Sequence, residues 1–313
     1  MTRTARLRRR AGLLGFLPAL VLAAASTSGA ASTANPAGAA NPAGAAGVAT
    51  GQHPALAPAA YVKAMTTIPA SVYDAVGTDD QPVPFTVTKG QPHLRSDNKP
   101  VLLYEGAEYC PYCALLRYAI VAALSRFGTF SHLHQTSSSK SDGDVPTFTF
   151  YESAYASRYV AFKAYERLDR QAPSPKPLQA VPSWATRLYR TYDGSETTGA
   201  AATRFNPSGA AGIPFLDLAD AYVSTGDPAA FSSLWVPGGP LHDGGPGRLA
   251  IADGIRNPGS STGTYVHGRL FLAEANYLTA AICSLDGGKP APVCTSSGVR
   301  AAAAAMGRVT PVR

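Results

Sequence analysis

The sequence predicts an α/β fold, and three stretches of the chain support that prediction. Val101-Leu102-Leu103-Tyr104 is a short apolar run typical of a buried strand, and it leads through Cys110-Pro111-Tyr112-Cys113 into a helix-compatible stretch that ends near Gly128. Gly212–Leu218 is a second apolar strand, which we expect to begin at its proline because proline cannot donate to a central ladder. Leu270–Cys283 is predicted to be a long helix.

The other elements are predicted from alternation, turn residues and helix ends. Gly77 ends a short helix, and Pro84–Thr88 alternates like a strand. A proline-rich stretch, 171–182, interrupts the later pattern. The remaining predictions are a strand at Thr129–Gln135, a strand pair formed by Pro146–Tyr151 and Tyr159–Tyr165, a helix at Trp184–Tyr189, and a hairpin that continues through Ala219–Val223.

Positive charge is concentrated at the N-terminus. The 313-residue chain has a formal charge of +7, but residues 1–30 hold five arginines and no acidic residue, so the remainder carries +2. We therefore predict no binding of nucleic acid. An apolar run, Ala11–Ala25, follows the arginines, and Ser28-Gly29-Ala30 resembles a cleavage site. Residues 1–30 are thus predicted to be a signal peptide or an N-terminal membrane anchor, which makes this an exported, extracytoplasmic protein.

Composition divides the rest of the chain into three parts. Residues 31–60 are dominated by Ala, Gly, Pro and Ser, so we expect a flexible linker with order beginning near Tyr61. Residues 61–298 contain the predicted elements and form the predicted domain. Residues 299–313, which include an alanine tract, are expected to be a disordered tail.

Cys110 and Cys113 have the spacing of a redox-active dithiol. Pro111 suits the first position of a helix, so Cys110 is expected at the helix N-terminus, where unpaired N–H groups favour a thiolate. We therefore expect Cys110 to be an accessible thiol of low pKa that attacks, and Cys113 to resolve the mixed disulfide. The alternatives are a structural disulfide or half of a zinc knuckle, and the ten residues between Cys283 and Cys294 do not suit the other half of such a knuckle.

Cys283 and Cys294 are interpreted as a structural disulfide. They join a predicted helix end to the loop that follows it, as suits an exported protein. A second redox centre that passes electrons to Cys110 and Cys113 is the alternative.

A strand, a Cys-x-x-Cys turn and a helix, followed later by an Ile-Pro that opens a strand, is the arrangement of the thioredoxin-like superfamily. The resemblance implies that Cys110 is the attacking cysteine, Cys113 the resolving one and Pro214 a cis-proline preceded by Ile213. It also implies a thioredoxin-like fold with a large insertion, at about residues 136–208, between the Cys-x-x-Cys helix and the cis-proline strand.

Six motifs, two of which contain the Cys-x-x-Cys and the Ile-Pro, closely resemble one uncharacterised exported family of that superfamily, domain of unknown function family 929. The resemblance extends over roughly residues 63–296. The motifs are Pro69–Val72, Gly106–Ala114, Ala123–Gly128, Pro146–Tyr151, Gly212–Asp217 and Ala275–Cys283.

Two acidic residues flank the dithiol. Thioredoxin-like enzymes often hold a carboxylate behind the second cysteine to move its proton, so Glu105 and Glu108 are both candidates for that role, with a surface acid as the alternative. His132 and His134 share one face of a predicted strand and are interpreted as solvated rather than metal-binding, because no third ligand lies nearby.

These features predict an extracytoplasmic thiol–disulfide oxidoreductase that acts on exported proteins, with no organic cofactor and a membrane redox partner as a further expectation. The alternative is a non-catalytic peptide- or protein-binding module whose Cys110–Cys113 bridge is structural. The same residues serve an oxidase, an isomerase or a reductase, so the sequence leaves the direction open.

Overall fold

The structure, a computed structural model, describes residues 53–193, 212–226, 231–259 and 267–309. All four ranges belong to the unit Ala39–Arg313. The predicted signal peptide and most of the predicted linker lie outside the described residues. No helix within these ranges is long and apolar enough to cross a membrane.

The described residues form both strands and helices, which confirms the predicted α/β class. The strands are β1 (Ala55–Leu56), β2 (Thr86–Val87), β3 (Arg95–Ser96), β4 (Lys99–Gly106), β5 (Gly128–Ser131), β6 (His134–Ser137), β7 (Pro146–Thr149), β8 (Ala154–Ser157), β9 (Ala161–Glu166), β10 (Phe215–Leu218) and β11 (Tyr222–Thr225). The helices are α1 (Ala59–Thr66), α2 (Ala70–Val76), α3 (Pro111–Leu124), α4 (Ser183–Tyr192), α5 (Ser232–Trp235), α6 (Arg248–Arg256), α7 (Gly268–Leu285), α8 (Ala291–Cys294) and α9 (Ser297–Met306).

The main sheet is built around β4. Its strand order is β2-β11-β10-β4-β3, and β9 also pairs with β4. β4 runs parallel to β9 and antiparallel to β10, while β10 and β11 form an antiparallel hairpin. Two smaller sheets, β1-β6-β7 and β5-β8, stand apart from it.

Helices cover both faces of the main sheet, as the continuous apolar run of β4 requires. Leu102 and Tyr104 belong to the large core that also contains most of the buried apolar side chains of α3 and α7. Val101 and Leu103, which alternate with them, pack with Ala185 of α4 in a second cluster. The period of two therefore assigns successive residues of β4 to opposite layers.

Several sequence predictions need correction. Order begins before Tyr61, since β1 lies at Ala55–Leu56. The predicted tail contains most of α9, which buries Val299, Ala302 and Met306 against the core. An alanine tract forms a helix here because one side of it has a core to cover.

The strand pairings between α3 and β10 also differ from the prediction. Pro146–Tyr151 and Tyr159–Tyr165 do not pair, because β7 pairs with β6 and β9 with β4. The segment predicted as an insertion, about 136–208, therefore contributes β9 to the main sheet and α4 to one of its covering layers. Residues 194–208 of that segment lie outside the described residues.

Candidate functional site

Cys110 and Cys113 lie where β4 passes into α3. Cys110 is the N-cap of α3, Pro111 is its first residue, and the backbone N–H of Cys113 donates to Cys110 Sγ at 3.2 Å. A side chain at this position satisfies one of the N–H groups that a helix start leaves unpaired. Both thiols are free, and both residues are buried, with exposed fractions of 4% and 0%.

The predicted proline strand lies directly against this dithiol. β10 pairs with β4 so that Phe215 is opposite Glu105, and the Ile213–Pro214 peptide bond immediately before β10 is cis. Cys110 Sγ lies 3.6 Å from the carbonyl oxygen of Ile213, to which it donates. A hydrogen bond thus joins two stretches of the chain that are 103 positions apart in the sequence.

A small apolar shell encloses the sulfur atoms. Ala107, Cys110 and Cys113 form a buried cluster of their own, and four half-buried side chains pack on it. Those four are Tyr109, Tyr112, Leu168 and Ile213. The ring of Tyr112 also meets Trp235 edge to face, with centroids 5.1 Å apart.

This burial corrects the expectation of an accessible, low-pKa thiol. Burial raises the pKa of Cys110 well above its usual value, and the neighbouring Cys113 raises it further. The Cys113 backbone N–H and the Arg117 charge act in the opposite direction, as the position at a helix start predicts, but they are the smaller effects. In this arrangement Cys110 is a covered thiol.

Glu105 lies at the end of β4 and is completely buried. Its Oε2 atom is 3.7 Å from Nη1 of Arg167, and neither carboxylate oxygen has a hydrogen-bond partner among the described residues. Burial raises the pKa of Glu105 to about 7, against a smaller lowering by the charge of Arg167. The carboxyl group can therefore take up or release a proton near neutral pH.

Glu108 lies in the loop between β4 and α3 and is 8% exposed. Thr136 donates to its Oε2 at 3.4 Å, and its backbone N–H donates to the Leu168 carbonyl. Burial raises the pKa of Glu108 and the charge of Glu166 raises it further, while the neighbouring Thr149, Arg117 and Thr136 moderate that rise. Both glutamates are buried, so the alternative of a surface acid is wrong for both.

The site also contains a buried ion pair that the sequence analysis did not identify. Arg117 Nε and Nη2 donate to Oε1 and Oε2 of Glu166 at 2.8 and 2.7 Å, and both side chains are 0% exposed. Nη2 also donates to the Ala107 carbonyl at 2.9 Å, so the pair is tied to the loop that leads to Cys110. One signal was available, because Arg117 is the only charged residue in Pro111–Leu124 and follows Cys113 by one helical turn.

A cleft of about 460 Å³ opens beside the dithiol. Its described lining consists of Ala107, Tyr109, Arg167, Leu168, Gln179, Val181, Tyr189 and Ile213. Arg167 lies with its guanidinium carbon 4.6 Å from the centroid of the Tyr189 ring. Half of these residues also belong to the shell around the sulfur atoms.

The other cysteine pair and the histidines lie elsewhere. Cys283 and Cys294 form the predicted disulfide between the end of α7 and α8. His132 does not share a strand face with His134, since it lies between β5 and β6 with a positive φ of 53°. In the part of the chain that the structure describes, no group of three or more His, Cys, Asp or Glu side chains could hold a metal ion.

Comparison with known proteins assigns a family. The model of one protein family, Domain of unknown function (DUF929), matches residues 86–244, just over half of the 313-residue chain. The match includes the Cys-x-x-Cys motif and Ile213-Pro214. Two of the six motifs from which the family was predicted, Pro69–Val72 and Ala275–Cys283, lie outside it. No curated protein and no solved structure matches the chain. The chain belongs to the DUF929 family.

Proposed function

We propose that the protein is a thiol–disulfide oxidoreductase of exported proteins, built on a thioredoxin-like core. The topology of the main sheet supports that core: β4, α3 and β9 form a parallel βαβ unit with the Cys-x-x-Cys motif at the start of its helix, the usual setting of a thioredoxin-like redox motif. β10 and β11 then add antiparallel strands. In this proposal the insertion lies between α3 and β9 rather than at about 136–208.

The observation that carries the proposal is the contact between Cys110 and Ile213, in the Ile213-Pro214 segment immediately before β10. Cys110 Sγ, at the start of α3, lies 3.6 Å from the Ile213 carbonyl oxygen. A substrate cysteine that reaches Sγ would meet the backbone of this loop at the same time. A purely structural bridge has no need of such a neighbour.

The proposed reaction is thiol–disulfide exchange in two steps. The Cys110 thiolate attacks one sulfur of a substrate disulfide, so that a Cys110–substrate bond forms while the other substrate sulfur leaves as a thiolate and is protonated. Cys113 loses its proton and attacks Cys110 Sγ, which forms the Cys110–Cys113 disulfide and releases the second substrate sulfur as a thiol. The substrate gains two electrons and the protein loses them, and the reverse sequence oxidises a substrate dithiol.

The protein's own residues have defined tasks in this scheme. The backbone N–H of Cys113 and the charge of Arg117 stabilise the Cys110 thiolate. Glu105, with its pKa raised to about 7 by burial, is the candidate proton store. Because Cys110 is 4% exposed, the side chains of the apolar shell must move before a protein disulfide can reach it.

Export is part of the proposal. The arginine-rich and apolar segment at residues 1–30 supports it, and so does the Cys283–Cys294 disulfide, since such bridges persist outside the reducing cytosol. Repeated turnover requires a second partner that restores the dithiol or the disulfide, and a membrane redox protein is the partner we propose. The N-terminal segment would then hold the domain close to that membrane.

The test is a trapping experiment with the full-length chain in its native host. Cys113→Ser removes the resolving thiol, so we expect covalent complexes with exported proteins that disappear on reduction. The double variant Cys110→Ser/Cys113→Ser is the matched control and should trap nothing. Equal yields of complexes from both variants would contradict the assignment of Cys110 as the attacking cysteine.

The burial of both sulfur atoms favours one second candidate, a binding module with a structural Cys110–Cys113 bridge. The reduction potential of the pair separates the two functions. A potential above about −300 mV supports redox catalysis, whereas a lower one supports the structural bridge.

A further inference from the structure

The cleft adjoins the shell that encloses Cys110 and Cys113. Ala107, Tyr109, Leu168 and Ile213 line the cleft and also surround the sulfur atoms. Its volume of about 460 Å³ falls within the roughly 300–1,000 Å³ of typical ligand pockets. A substrate segment next to the reacting cysteine therefore has room to enter it.

The lining of the cleft has a defined chemistry. Among its described residues Arg167 alone carries a formal charge, and the others are apolar, aromatic or, in one case, an amide. The Arg167 side chain is 35% exposed, so its guanidinium group is within reach of a ligand. Its position over the Tyr189 ring restricts the side chain and presents its N–H groups in a fixed direction.

Glu105 does not neutralise this cation fully. Its Oε2 lies 3.7 Å from Arg167 Nη1, beyond hydrogen-bond distance, and its side chain is 1% exposed. Burial also raises the pKa of Glu105 to about 7, so part of the population is uncharged at neutral pH. The charge that the cleft offers to a ligand is therefore positive.

We propose that this cleft selects substrate polypeptides with an acidic side chain near the reacting cysteine, and that Arg167 binds the acidic group. The proposal rests on the thiol–disulfide function proposed above and names the class of substrate for that site. The carboxylate would take charge-assisted hydrogen bonds from Arg167, while the apolar and aromatic walls contact the neighbouring part of the peptide.

The test uses three peptides that differ in one residue. Each carries its single cysteine as a mixed disulfide with thionitrobenzoate, and a Glu, a Gln or a Lys stands two residues from that cysteine. Attack by Cys110 on the peptide sulfur releases thionitrobenzoate, whose absorbance gives the second-order rate constant for the reduced full-length protein. We expect the Glu peptide to react about tenfold faster than the Gln peptide at low salt, the Lys peptide to be slowest, and the differences to shrink in salt.

Variants show whether Arg167 is the cause. Arg167→Gln should bring the Glu:Gln rate ratio close to one, and Arg167→Lys should keep an intermediate ratio. Arg187→Gln removes an exposed positive charge from α4 outside the cleft lining and should keep the wild-type ratio. Because the ratio is measured within each protein, a variant that folds in lower yield is still informative.

The outcomes separate this proposal from the one on which it rests. Equal rates for the Glu and Gln peptides in the wild type, or a preference that survives in Arg167→Gln, would overturn the acidic selectivity and leave the redox function standing. Release of thionitrobenzoate from none of the peptides would refute both. Loss of the preference in Arg187→Gln would assign it to general charge rather than to the cleft, and would also overturn the proposal.

Discussion

The buried pair of Arg117 and Glu166 allows the most quantitative prediction. Glu166→Gln keeps the shape of the side chain but removes its charge, so the guanidinium group stays buried at 0% exposure without its counter-ion. Breaking such a pair from one side costs about 3–5 kcal/mol of unfolding free energy. For a chain of this size we expect the Tm to fall by about 6–20 °C, since each kcal/mol corresponds to about 2–4 °C.

Removing both charges should cost less than removing either one. In Arg117→Met/Glu166→Met no unpaired charge remains, and replacement of a buried pair by apolar side chains is often neutral. The Ala107 carbonyl still loses its donor, which costs about 1–3 kcal/mol. The double variant should therefore lie closer to the wild type than Glu166→Gln or Arg117→Met.

Urea unfolding at pH 7, followed by fluorescence, measures all of these variants. Arg187→Met, an exposed arginine on α4, serves as the control and should stay within about 0.5 kcal/mol of the wild type. Losses below about 1 kcal/mol in both single variants, or a double variant whose loss equals the sum of the two, would refute the reasoning. Alkylation provides a second measurement: Cys110 should react more slowly in Arg117→Met than in Glu166→Gln, because only the former removes a charge that lowers the Cys110 pKa.

Three further predictions address other parts of the chain. Cys283→Ser/Cys294→Ser opens a bridge across 11 positions of sequence and should lower the unfolding free energy by about 3 kcal/mol; a urea midpoint shift equivalent to less than about 1 kcal/mol would contradict this. Burial raises the Glu105 pKa from 4.5 to about 7, so the folded state holds the proton more strongly and stability falls as pH rises through this range; the full cost above the folded pKa is about 3 kcal/mol. The unfolding free energy of Glu105→Gln should consequently rise relative to that of the wild type between pH 5 and pH 8. If urea unfolding gives the same difference between the two proteins at every pH, the prediction is wrong. Deletion of residues 297–313 removes α9 and its buried side chains and should lower the unfolding free energy by about 3–5 kcal/mol, whereas deletion of 307–313 should be nearly neutral. Equal urea midpoints for the two deletions would support the original prediction of a disordered tail.

The local features of the site could be predicted from the sequence because each depends on neighbours along the chain. An apolar run, a Cys-x-x-Cys motif with Pro111 inside it and a helix-compatible stretch specify where β4 ends and α3 begins. The Cys283–Cys294 bridge is of the same kind, since its partners are only 11 positions apart. Short-range spacing and the geometry of a helix start decide such features.

The tertiary structure decided which distant side chains meet, although the family resemblance had already implied that Ile213 and Pro214 belong to the same site as Cys110. Arg117 and Glu166 are 49 positions apart and Cys110 and Ile213 are 103 apart, so no period in the sequence links either pair. Helix propensity could not reveal that Cys110 is covered, that α9 has a core to pack on, or that Arg167 lies over Tyr189. Burial and electrostatic environment are properties of the packed chain, because they depend on how much water the neighbours exclude and on which charges remain within a few ångströms.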